Sequence, residues 1–521
     1  MTDWDWTSAK VPSREACVLR HILEWRAAER PDQRFVTFET GEAWTYAETL
    51  VHARRAAAGL AGLGVGAGDV VFALLPNGPD FLKAWFGANF LGAALAAANP
   101  ALRGGALQHL IGLSDAQVAV VEPKYRERLE GLDLGRIHTI VAAGDFDAAD
   151  PAAAPDVIVE PWAAEFILFT SGTTGPSKGA IVTYVQMHDM MLSTTARRLD
   201  ERDVFLASTP LFHVGGSRVV HGMMMLGGQV VLLSGFRTDS FWDTVRRHGA
   251  TACVLIGAVA RFLEDQPPRP DDADNPLRYV TMSPLVSDPK AFSRRFGVDV
   301  ATSYGMSELS IPIRSEVNPD DPDSCGRLRP GYEARLVDAH DREVADGEAG
   351  ELIVRAVRPW TISPGYWRMP EATAAAWRNG WFHTGDLMRR NAAGDYYFVD
   401  RQKDAIRRRG ENISSFEVEA EILSHPAVKD AAAVGTPSPL GEEDILAVVE
   451  LAPGAALAPE DLIEHLRPRM AYYMVPRYLR FVASLPRTPS GRVQKHLLRA
   501  EGVTADAWDR EAAGIILKRD T

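Results

Sequence analysis

Short apolar runs alternate with longer segments of helical periodicity in the first half of the chain. The runs 69–75 and 94–98 have the length and composition of buried strands, and the segments 46–63 and 79–91 repeat apolar residues at helical spacing. Strands that alternate with helices form βαβ units, and the strands of such units are parallel. We therefore predict that the chain up to about Gly326 consists mainly of parallel α/β subdomains.

The hydrophobic pattern changes near Gly326. Segments 333–338 and 350–355 alternate apolar and polar residues with a period of two, which is typical of strands that bury only one face. They predict a small antiparallel or barrel-like β piece. Residues 142–156 are rich in Ala, Asp and Pro, so we expect an exposed loop there.

A strongly charged run, residues 400–409, separates this region from a compact tail. In the tail, helical periodicity at 415–424 and 459–467 alternates with short apolar runs that predict strands. The predicted fold class is therefore α/β with two domains. A large N-terminal domain covers residues 1–400, and a small α+β C-terminal domain covers residues 401–521.

Composition limits the possible partners and compartments. The length of 521 residues exceeds what one hydrophobic core accommodates, and the formal net charge of −13 argues against a nucleic-acid partner. Cys17, Cys253 and Cys325 form no paired motif, so neither a zinc site nor a disulfide framework is indicated, which suits a cytoplasmic protein. The N-terminus lacks the features of a secretory leader, and the most apolar stretch, 86–102, is too short and too polar to span a membrane.

Residues 169–179 read Phe-Thr-Ser-Gly-Thr-Thr-Gly-Pro-Ser-Lys-Gly and follow an apolar run that predicts a strand. Glycines allow a tight turn with exposed N–H groups, while hydroxyls and a lysine supply donors and positive charge for anionic oxygens. The segment differs from both the Walker A loop and the Rossmann glycine motif, and a flexible surface linker is the alternative. The candidate phosphate ligands are Thr170, Ser171, Gly172, Thr173, Thr174 and Lys178.

Two further turns carry candidate nucleotide-binding side chains. In the segment 302–308, Thr-Ser-Tyr-Gly-Met-Ser-Glu, Tyr304 can stack on adenine and Glu308 can bind Mg²⁺ through oxygen. The segment 381–387 places Asp386 after a glycine turn, where its carboxylate can accept hydrogen bonds from ribose hydroxyls. The alternatives are a structural turn with a core tyrosine and a turn-capping aspartate.

Two further segments follow, one of mixed charge and one that ends in a lysine. The charged residues 400–406 and the adjoining 410–414 are, on composition alone, typical of a solvated surface. Residues 486–495 form a loop with prolines and a glycine that ends in Lys495. A lone lysine is most often a surface residue, so neither segment predicts a function by itself.

Taken in order, these five motifs closely resemble those of the adenylate-forming superfamily, which includes acyl-CoA synthetases, stand-alone adenylation domains and firefly-type luciferases. The resemblance covers nearly the whole chain, and segments 302–306 and 410–414 are most similar to those of carnitine/crotonobetaine-type CoA ligases. It implies an ATP-dependent carboxylate–CoA ligase that first forms an acyl-AMP and then transfers the acyl group to CoA. It also implies that the C-terminal domain is mobile and rotates about Lys403 between the two steps.

The resemblance assigns individual roles as well. It makes Lys495 the catalytic lysine of adenylation, Glu308 the Mg²⁺ ligand and Arg401 a ribose contact. Arg407 and Asn412 match positions that face the acyl phosphate in related ligases. The remaining candidate nucleotide contacts are Thr302, Ser303, Tyr304, Gly305 and Ser307.

The motifs do not reveal which acid is the substrate. Phe212 and His213 are candidates to line an acyl channel, and His213 is a candidate catalytic residue, with a buried structural histidine as the alternative. Arg218 can pair with an acidic or polar group of the substrate, or it can be structural. Residues 281–285, Thr-Met-Ser-Pro-Leu, replace a Gly/Ala-rich segment of many relatives, so no relative's substrate can be carried over.

Two other functions stay open on the sequence. One is an adenylating enzyme that passes the acyl group to a carrier protein or another nucleophile, and the other is a catalytically silent nucleotide-binding protein. The expected small molecules are a carboxylic acid, ATP, Mg²⁺ and coenzyme A as co-substrate. We expect no nucleic acid and no membrane span, and we leave open whether the protein forms a homodimer.

Overall fold

The computed structural model describes residues 8–170, 177–194, 198–401, 405–408, 411–438, 441–487 and 493–517. Its α-helices are α1 (Arg14–Cys17), α2 (Leu19–Glu29), α3 (Tyr46–Gly62), α4 (Pro79–Phe90), α5 (Gly104–Ser114), α6 (Tyr184–Thr194), α7 (Val214–Leu226), α8 (Phe241–His248), α9 (Gly257–Glu264), α10 (Pro289–Phe296), α11 (Pro370–Ala376), α12 (Ser415–Leu423), α13 (Pro459–Leu466) and α14 (Lys495–Glu501).

The strands fall into an N-terminal group and a later group. The first group is β1 (Arg34–Phe38), β2 (Ala43–Thr45), β3 (Val70–Leu74), β4 (Ala94–Ala97), β5 (Val118–Val121), β6 (Thr139–Val141), β7 (Ala164–Thr170), β8 (Lys178–Thr183), β9 (Val204–Ala207), β10 (Gln229–Leu232), β11 (Ala252–Ile256), β12 (Tyr279–Ser283) and β13 (Asp299–Ala301). The second group is β14 (Ser303–Met306), β15 (Ser310–Arg314), β16 (Ser324–Leu328), β17 (Tyr332–Val337), β18 (Gly350–Ala356), β19 (Trp377–Arg378), β20 (Trp381–Arg390), β21 (Asp395–Arg401), β22 (Ala405–Arg408), β23 (Glu411–Ser414), β24 (Val428–Pro437), β25 (Glu443–Leu451), β26 (Tyr478–Val482) and β27 (Trp508–Asp509).

A six-stranded sheet has the order β6-β5-β3-β4-β7-β8. Its strands are parallel except β8, which pairs antiparallel with β7. The apolar strand β3 is buried along its whole length, as expected for a parallel strand covered on both faces. The predicted βαβ pattern is confirmed here, and the segment 169–179 connects the antiparallel strands β7 and β8.

A seven-stranded sheet has the order β13-β12-β11-β9-β10-β1-β2. It is parallel except for β2, and the β1–β2 hairpin belongs to it because β1 pairs in parallel with β10. The largest apolar core includes residues of both sheets and of α3, α4, α6 and α7, with Trp85 and Phe166 fully buried. The two parallel sheets and their helices therefore share one core.

The predicted antiparallel piece is confirmed as an eight-stranded sheet. Its order is β14-β15-β16-β21-β20-β18-β17, and β19 pairs with β20. Beyond it, the β22–β23 hairpin and a four-stranded sheet, β24-β25-β26-β27, pack with α12 and α13. One apolar cluster joins Ile413 and Met474 of this C-terminal part to Phe72 and Leu107 beside the six-stranded sheet, so the two parts are in contact.

The prediction of an exposed loop at 142–156 is wrong in one respect. The segment contains two short 3₁₀ turns, and Phe146 is buried against α3. A Cβ atom at Gly59 would lie 2.5 Å from Cδ1 of Phe146, so the ring occupies space that only a glycine leaves open. Composition alone does not reveal such an anchor inside a polar loop.

The structure bears on the expected state of the cysteines and on the expected lack of a membrane span. Cys17, Cys253 and Cys325 are free thiols. Within the described ranges, no helix is both long and apolar enough to cross a membrane.

A buried ion pair connects the parallel sheets to the antiparallel sheet. Asp189 of α6 accepts hydrogen bonds from Arg329 Nη1 at 3.0 Å, from the Tyr332 hydroxyl at 2.6 Å and from the Ser310 hydroxyl at 3.0 Å. Burial by itself would raise the pKa of Asp189, but the Arg329 charge and these hydrogen bonds hold it below the ordinary value. Ser310 has φ of +66°, an uncommon conformation for a non-glycine residue, which its side-chain bond helps to hold.

We expect Asp189→Ala to lower the free energy of unfolding of the N-terminal part by about 3–5 kcal/mol, because it removes the carboxylate that offsets the buried Arg329 charge. Chemical denaturation should measure this loss. The contribution is complete above the ordinary aspartate pKa and is lost as pH falls through the lowered folded-state pKa, so the variant should lose less stability in acid than wild type. Glu333→Ala, which breaks the exposed pair with Arg355, should cost less than about 1 kcal/mol. Equal costs for the two variants would contradict this account.

Candidate active site

Glu308 is a buried carboxylate at the junction of three chain segments. It follows β14 in the turn before β15 and is 5 % exposed. Its Oε1 accepts a hydrogen bond from Thr170 Oγ1 at 3.2 Å and another from the Tyr366 hydroxyl at 3.0 Å. Thr170 ends β7 of the six-stranded sheet, so the first and second predicted motifs meet at this carboxylate.

The electrostatic balance at Glu308 favours a nearby cation. Burial raises the pKa of Glu308, and the hydrogen bonds from Tyr366 and Thr170 together with the charge of Lys178 oppose that rise. Lys178 begins β8, and its Nζ lies 4.6 Å from the centre of the Tyr366 ring. A carboxylate and an ammonium group therefore flank the same tyrosine.

The turn that carries Glu308 is fixed by close backbone packing. A Cβ atom at position 305 would lie 2.3 Å from the Ser310 carbonyl oxygen, so only glycine fits there. Gln186 Nε2 donates to the Ser307 carbonyl at 2.7 Å, and the Ser363 N–H donates to the Glu308 carbonyl at 2.7 Å. These bonds hold the 302–308 turn in one conformation.

Tyr304 and Asp386 are also brought together. The Tyr304 hydroxyl donates to Asp386 Oδ2 at 2.7 Å, and Asp386 is 4 % exposed on β20. Arg401 is the register partner of Asp386 across β20 and β21. At the start of the 302–308 turn, Ser283 Oγ donates to the Ser303 carbonyl at 2.8 Å.

Two contacts dock the C-terminal part onto this site. His213 Nε2 lies 2.8 Å from Glu411 Oε2, and because a carboxylate only accepts, the ring donates. The Ser177 N–H and hydroxyl donate to Glu417 Oε1 at 3.0 Å and 2.6 Å. A cavity of about 110 Å³ lies at this interface, and its lining includes Thr170, Ser307, Phe212, His213, Glu411, Ile413 and Tyr473.

Lys495 is not among the residues that line this cavity. Its Nζ donates to Ser415 Oγ at 2.8 Å and lies 2.6 Å from Glu419 Oε1. Both partners belong to α12, so the ammonium group is bonded within the C-terminal part in this arrangement.

The comparisons with known proteins agree with this geometry. The sequence model of the AMP-binding enzyme family matches residues 23–367, and that of the AMP-binding enzyme C-terminal domain matches residues 417–492. The chain belongs to the AMP-binding enzyme family. The superfamily expected from the five motifs is thereby confirmed.

Curated relatives cover almost the whole chain. A crotonobetaine/carnitine–CoA ligase of Salmonella choleraesuis (strain SC-B67) is 31 % identical, with 92 % of this chain and 98 % of the relative covered. A sulfoacetate–CoA ligase of Cupriavidus necator is also 31 % identical, with 92 % and 96 % covered.

Solved structures share the fold. The amide bond synthetase McbA from Marinactinospora thermotolerans has a TM-score of 0.81 at 27 % identity and covers 93 % of this chain and 99 % of its own. ATP-bound MatB from Rhodopseudomonas palustris has a TM-score of 0.66 at 26 % identity, with 92 % and 98 % covered. The predicted α/β class with a large N-terminal and a smaller C-terminal part is confirmed.

Several predicted site residues of this AMP-binding enzyme lie outside the described residues, and their roles stay predictions. They are Ser171, Gly172, Thr173 and Thr174 of the phosphate loop, the hinge residue Lys403, and the side chains of Arg401 and Asn412. Arg407 is described; its side chain is exposed, its N–H donates to Glu443 Oε2 at 2.8 Å, and it pairs with position 412 in the β22–β23 hairpin.

Sequence reasoning missed four residues that contact the site. Tyr366 follows Pro364 and Gly365, a weak turn signal that does not indicate a distant carboxylate. Glu411 lies inside a recognised motif, but nothing in the sequence shows that it contacts His213. Ser177 and Glu417 likewise meet only through the tertiary fold.

We expect the double variant Glu411→Gln/Glu417→Gln to weaken docking of the C-terminal part, because both contacts lose a charge-assisted hydrogen-bond acceptor. Hydrogen exchange at the amides of residues 411–417 should accelerate by about tenfold, since glutamine keeps an acceptor oxygen and the loss of the two charges costs about 1.4 kcal/mol in total.

The matched control is Glu501→Gln, which removes a charge that pairs with Arg480 within the C-terminal part. It should leave exchange at 411–417 unchanged. If the double variant exchanges no faster than this control, the two contacts do not hold the parts together.

Proposed function

We propose that this AMP-binding enzyme is an ATP-dependent carboxylate–CoA ligase. Its substrate carboxylate attacks the α-phosphate of ATP, which forms an acyl-AMP and releases pyrophosphate. The CoA thiol then attacks the acyl carbon and displaces AMP, and the thiol proton is released. The observation that carries the proposal is the buried Glu308, held by Thr170 and Tyr366 beside Lys178.

Glu308 fits a magnesium ion that is shared with the triphosphate. Both hydroxyls donate to Oε1, so we assign the contact with the cation to Oε2. No group of three His, Cys, Asp or Glu side chains that could bind a metal occurs in the described part of the chain. Mg²⁺ commonly uses one or two carboxylates and completes its shell with phosphate oxygens and water. When bound, the ion would neutralise charge on the triphosphate.

The protein side chains then position the two anions. We assign Lys178 and the loop hydroxyls to the β- and γ-phosphates, because an ammonium group beside Tyr366 lies next to the carboxylate that would hold the metal. Asp386 would accept the ribose hydroxyls, and Tyr304, which donates to it, would lie against adenine. Holding both reactants in place supplies much of the acceleration in phosphoryl chemistry.

The observed arrangement suits the second step. Glu411 contacts His213 at the site while Lys495 is bonded to α12. Adenylation needs Lys495 between carboxylate and α-phosphate, so we propose that the C-terminal domain, residues 401–521, rotates relative to residues 1–400 about Lys403. Such a hinge places two different faces at one site in turn.

A second cavity supports free CoA as the acceptor. It has a volume of about 730 Å³, lies between the two parts and shares Asn99 with the smaller cavity at His213. The arginines and tyrosines in its lining suit an anionic nucleotide: Arg103, Arg128, Arg467, Tyr125 and Tyr472. An enzyme that loads a carrier protein would be indifferent to free CoA, so CoA-dependent release of AMP separates the two functions.

The relatives support the same reaction class but name different acids. Two relatives are named for betaine-type and sulfonated acids, crotonobetaine/carnitine and sulfoacetate. Carboxylate-dependent pyrophosphate–ATP exchange across a panel of acids tests the proposal. If none of the acids supports exchange, the proposal is overturned.

We also keep the cytosol as the predicted location.

We expect Lys495→Ala to reduce adenylation by about 10²- to 10³-fold, the usual cost of removing one donor to developing charge. Thioester formation from supplied acyl-AMP and CoA should stay near wild type, because Lys495 is bonded away from the site in this arrangement. Single-turnover assays of the two half-reactions measure both effects.

Lys429→Ala is the control, because this lysine belongs to the same part of the chain and pairs with Glu450 instead. It should change neither half-reaction. An equal loss of both steps in Lys495→Ala would argue against the assignment.

A further inference from the structure

A cavity of about 510 Å³ lies on one face of the seven-stranded sheet, at β12 and β13. Tyr279 and Thr281 of β12 pair in register with Asp299 and Ala301 of β13, and these alternate positions share one face. All four residues line the cavity.

The cavity adjoins the turn that carries the candidate active-site residues. Thr302, the first residue of the 302–308 motif, also lines it. Ser283 lies two positions after Thr281 on the same face, at the carboxyl end of β12, and its hydroxyl is 3.2 Å from Thr302 Oγ1. In parallel sheets ligands bind at the carboxyl ends of the strands. A substrate that reacts at the 302–308 turn can therefore extend along β12 toward Tyr279.

The lining has a positive balance of charge. Three arginines, Arg198, Arg278 and Arg314, and two carboxylates, Asp299 and Glu316, contribute to it. Asp299 is neutralised locally, because Arg198 Nη1 lies 3.0 Å from its Oδ2 and Asn318 Nδ2 donates to its Oδ1 at 2.9 Å. Arg278 pairs with Asp203 outside the cavity lining, so the excess positive charge comes from the buried Arg218, which acts on Tyr279 without lining the cavity.

Tyr279 lies at the centre of this positive field. Burial raises the pKa of Tyr279, and the charges of Arg198, Arg314 and Arg218 oppose that rise. Arg218 of α7 is buried at 6 % exposure, and burial lowers its pKa to about 10. Three guanidinium groups, from three elements, therefore act on one phenol.

A buried hydroxyl also faces the cavity. Thr281 is 3 % exposed, and its Oγ1 has no partner in hydrogen-bonding geometry among the described residues. The Thr281 side chain also opposes the rise in the pKa of Tyr279, so the two side chains lie close together on this face. A buried polar atom without a partner is costly, so a bound polar ligand would relieve that cost.

We propose that this cavity is the distal half of the acyl site and binds a second anionic group, so that the substrate class is acids with a carboxylate or sulfonate at the far end. The inference rests on the proposed ligase function. From Ser283 to Tyr279 the strand spans about 13 Å, which suits acids of roughly four to ten carbons. An acid with a quaternary ammonium group at the same place would be repelled.

The test compares α,ω-dicarboxylic acids of four to ten carbons with their monomethyl esters in pyrophosphate–ATP exchange. Each ester keeps the length and removes the second charge, and terminal sulfonates and betaines form two further arms. We expect the best diacid or sulfonate to exceed its uncharged partner by about 10- to 100-fold in kcat/KM, the usual difference for a hydrogen bond to a charged group. Because Arg198 is partly exposed, added salt should reduce the ratio.

Variants then locate the anion. The diacid-to-ester ratio should fall toward one in Arg198→Gln and in Arg314→Gln. Arg327→Gln is the matched control, because Arg327 pairs with Asp395 at 2.9 Å much as Arg198 pairs with Asp299, but outside the cavity. It should keep the wild-type ratio.

Each outcome decides a different point. A wild-type ratio at or below one, or a ratio that survives both arginine substitutions, overturns the anionic-substrate inference while the ligase function stands. Exchange with esters or betaines but not with diacids also overturns the anionic-substrate inference and leaves the ligase function standing. Absence of exchange with every acid class overturns the ligase function itself.

Discussion

The burial of one carboxylate, Glu308, is the constraint on which the site depends. An ionised carboxylate removed from water is costly unless hydrogen bonds or a cation compensate it. Thr170 and Tyr366 supply two hydrogen bonds, and Lys178 Nζ lies 4.6 Å from the centre of the Tyr366 ring. These groups only partly offset burial, because the pKa of Glu308 remains raised. The pocket is thus electrostatically prepared for a further positive charge.

The three sheets are arranged so that this carboxylate has its partners. The six-stranded sheet provides Thr170 and Lys178 as paired positions at the loop end of one hairpin, and the antiparallel sheet provides the turn that carries Glu308. The Asp189–Arg329 pair holds the parallel sheets against the antiparallel sheet. Asp189 also accepts a hydrogen bond from Ser310, which lies two residues after Glu308. The C-terminal part then closes the site through Glu411 and Glu417. The contacts that pack the domains together therefore also position the groups around Glu308.

Local periodicity predicted the elements that one buried face determines, such as β3, α3 and α4, since their apolar spacing is set by their own sheet. The glycine of the 302–308 segment indicated a turn, and Gly305 lies where a Cβ atom would meet the Ser310 carbonyl oxygen. Residues 171–176 of the predicted phosphate loop lie outside the described residues, so that loop stays a prediction. Local periodicity could not predict Tyr366 or Glu411, since each acts through a partner far away along the chain. The buried Phe146 within a polar loop was missed for the same reason, because its pocket is created by Gly59 on another element.

The central claim is that Glu308 binds a magnesium ion jointly with ATP. Calorimetric titration of ATP, with and without Mg²⁺, into wild type and Glu308→Gln tests it most directly, because glutamine keeps the size and the hydrogen-bond acceptor while removing the charge. We predict that Mg²⁺ strengthens ATP binding by at least about tenfold in wild type, the equivalent of one charge-assisted contact, and has little effect in the variant. Equal strengthening by Mg²⁺ in both correctly folded proteins would contradict the account.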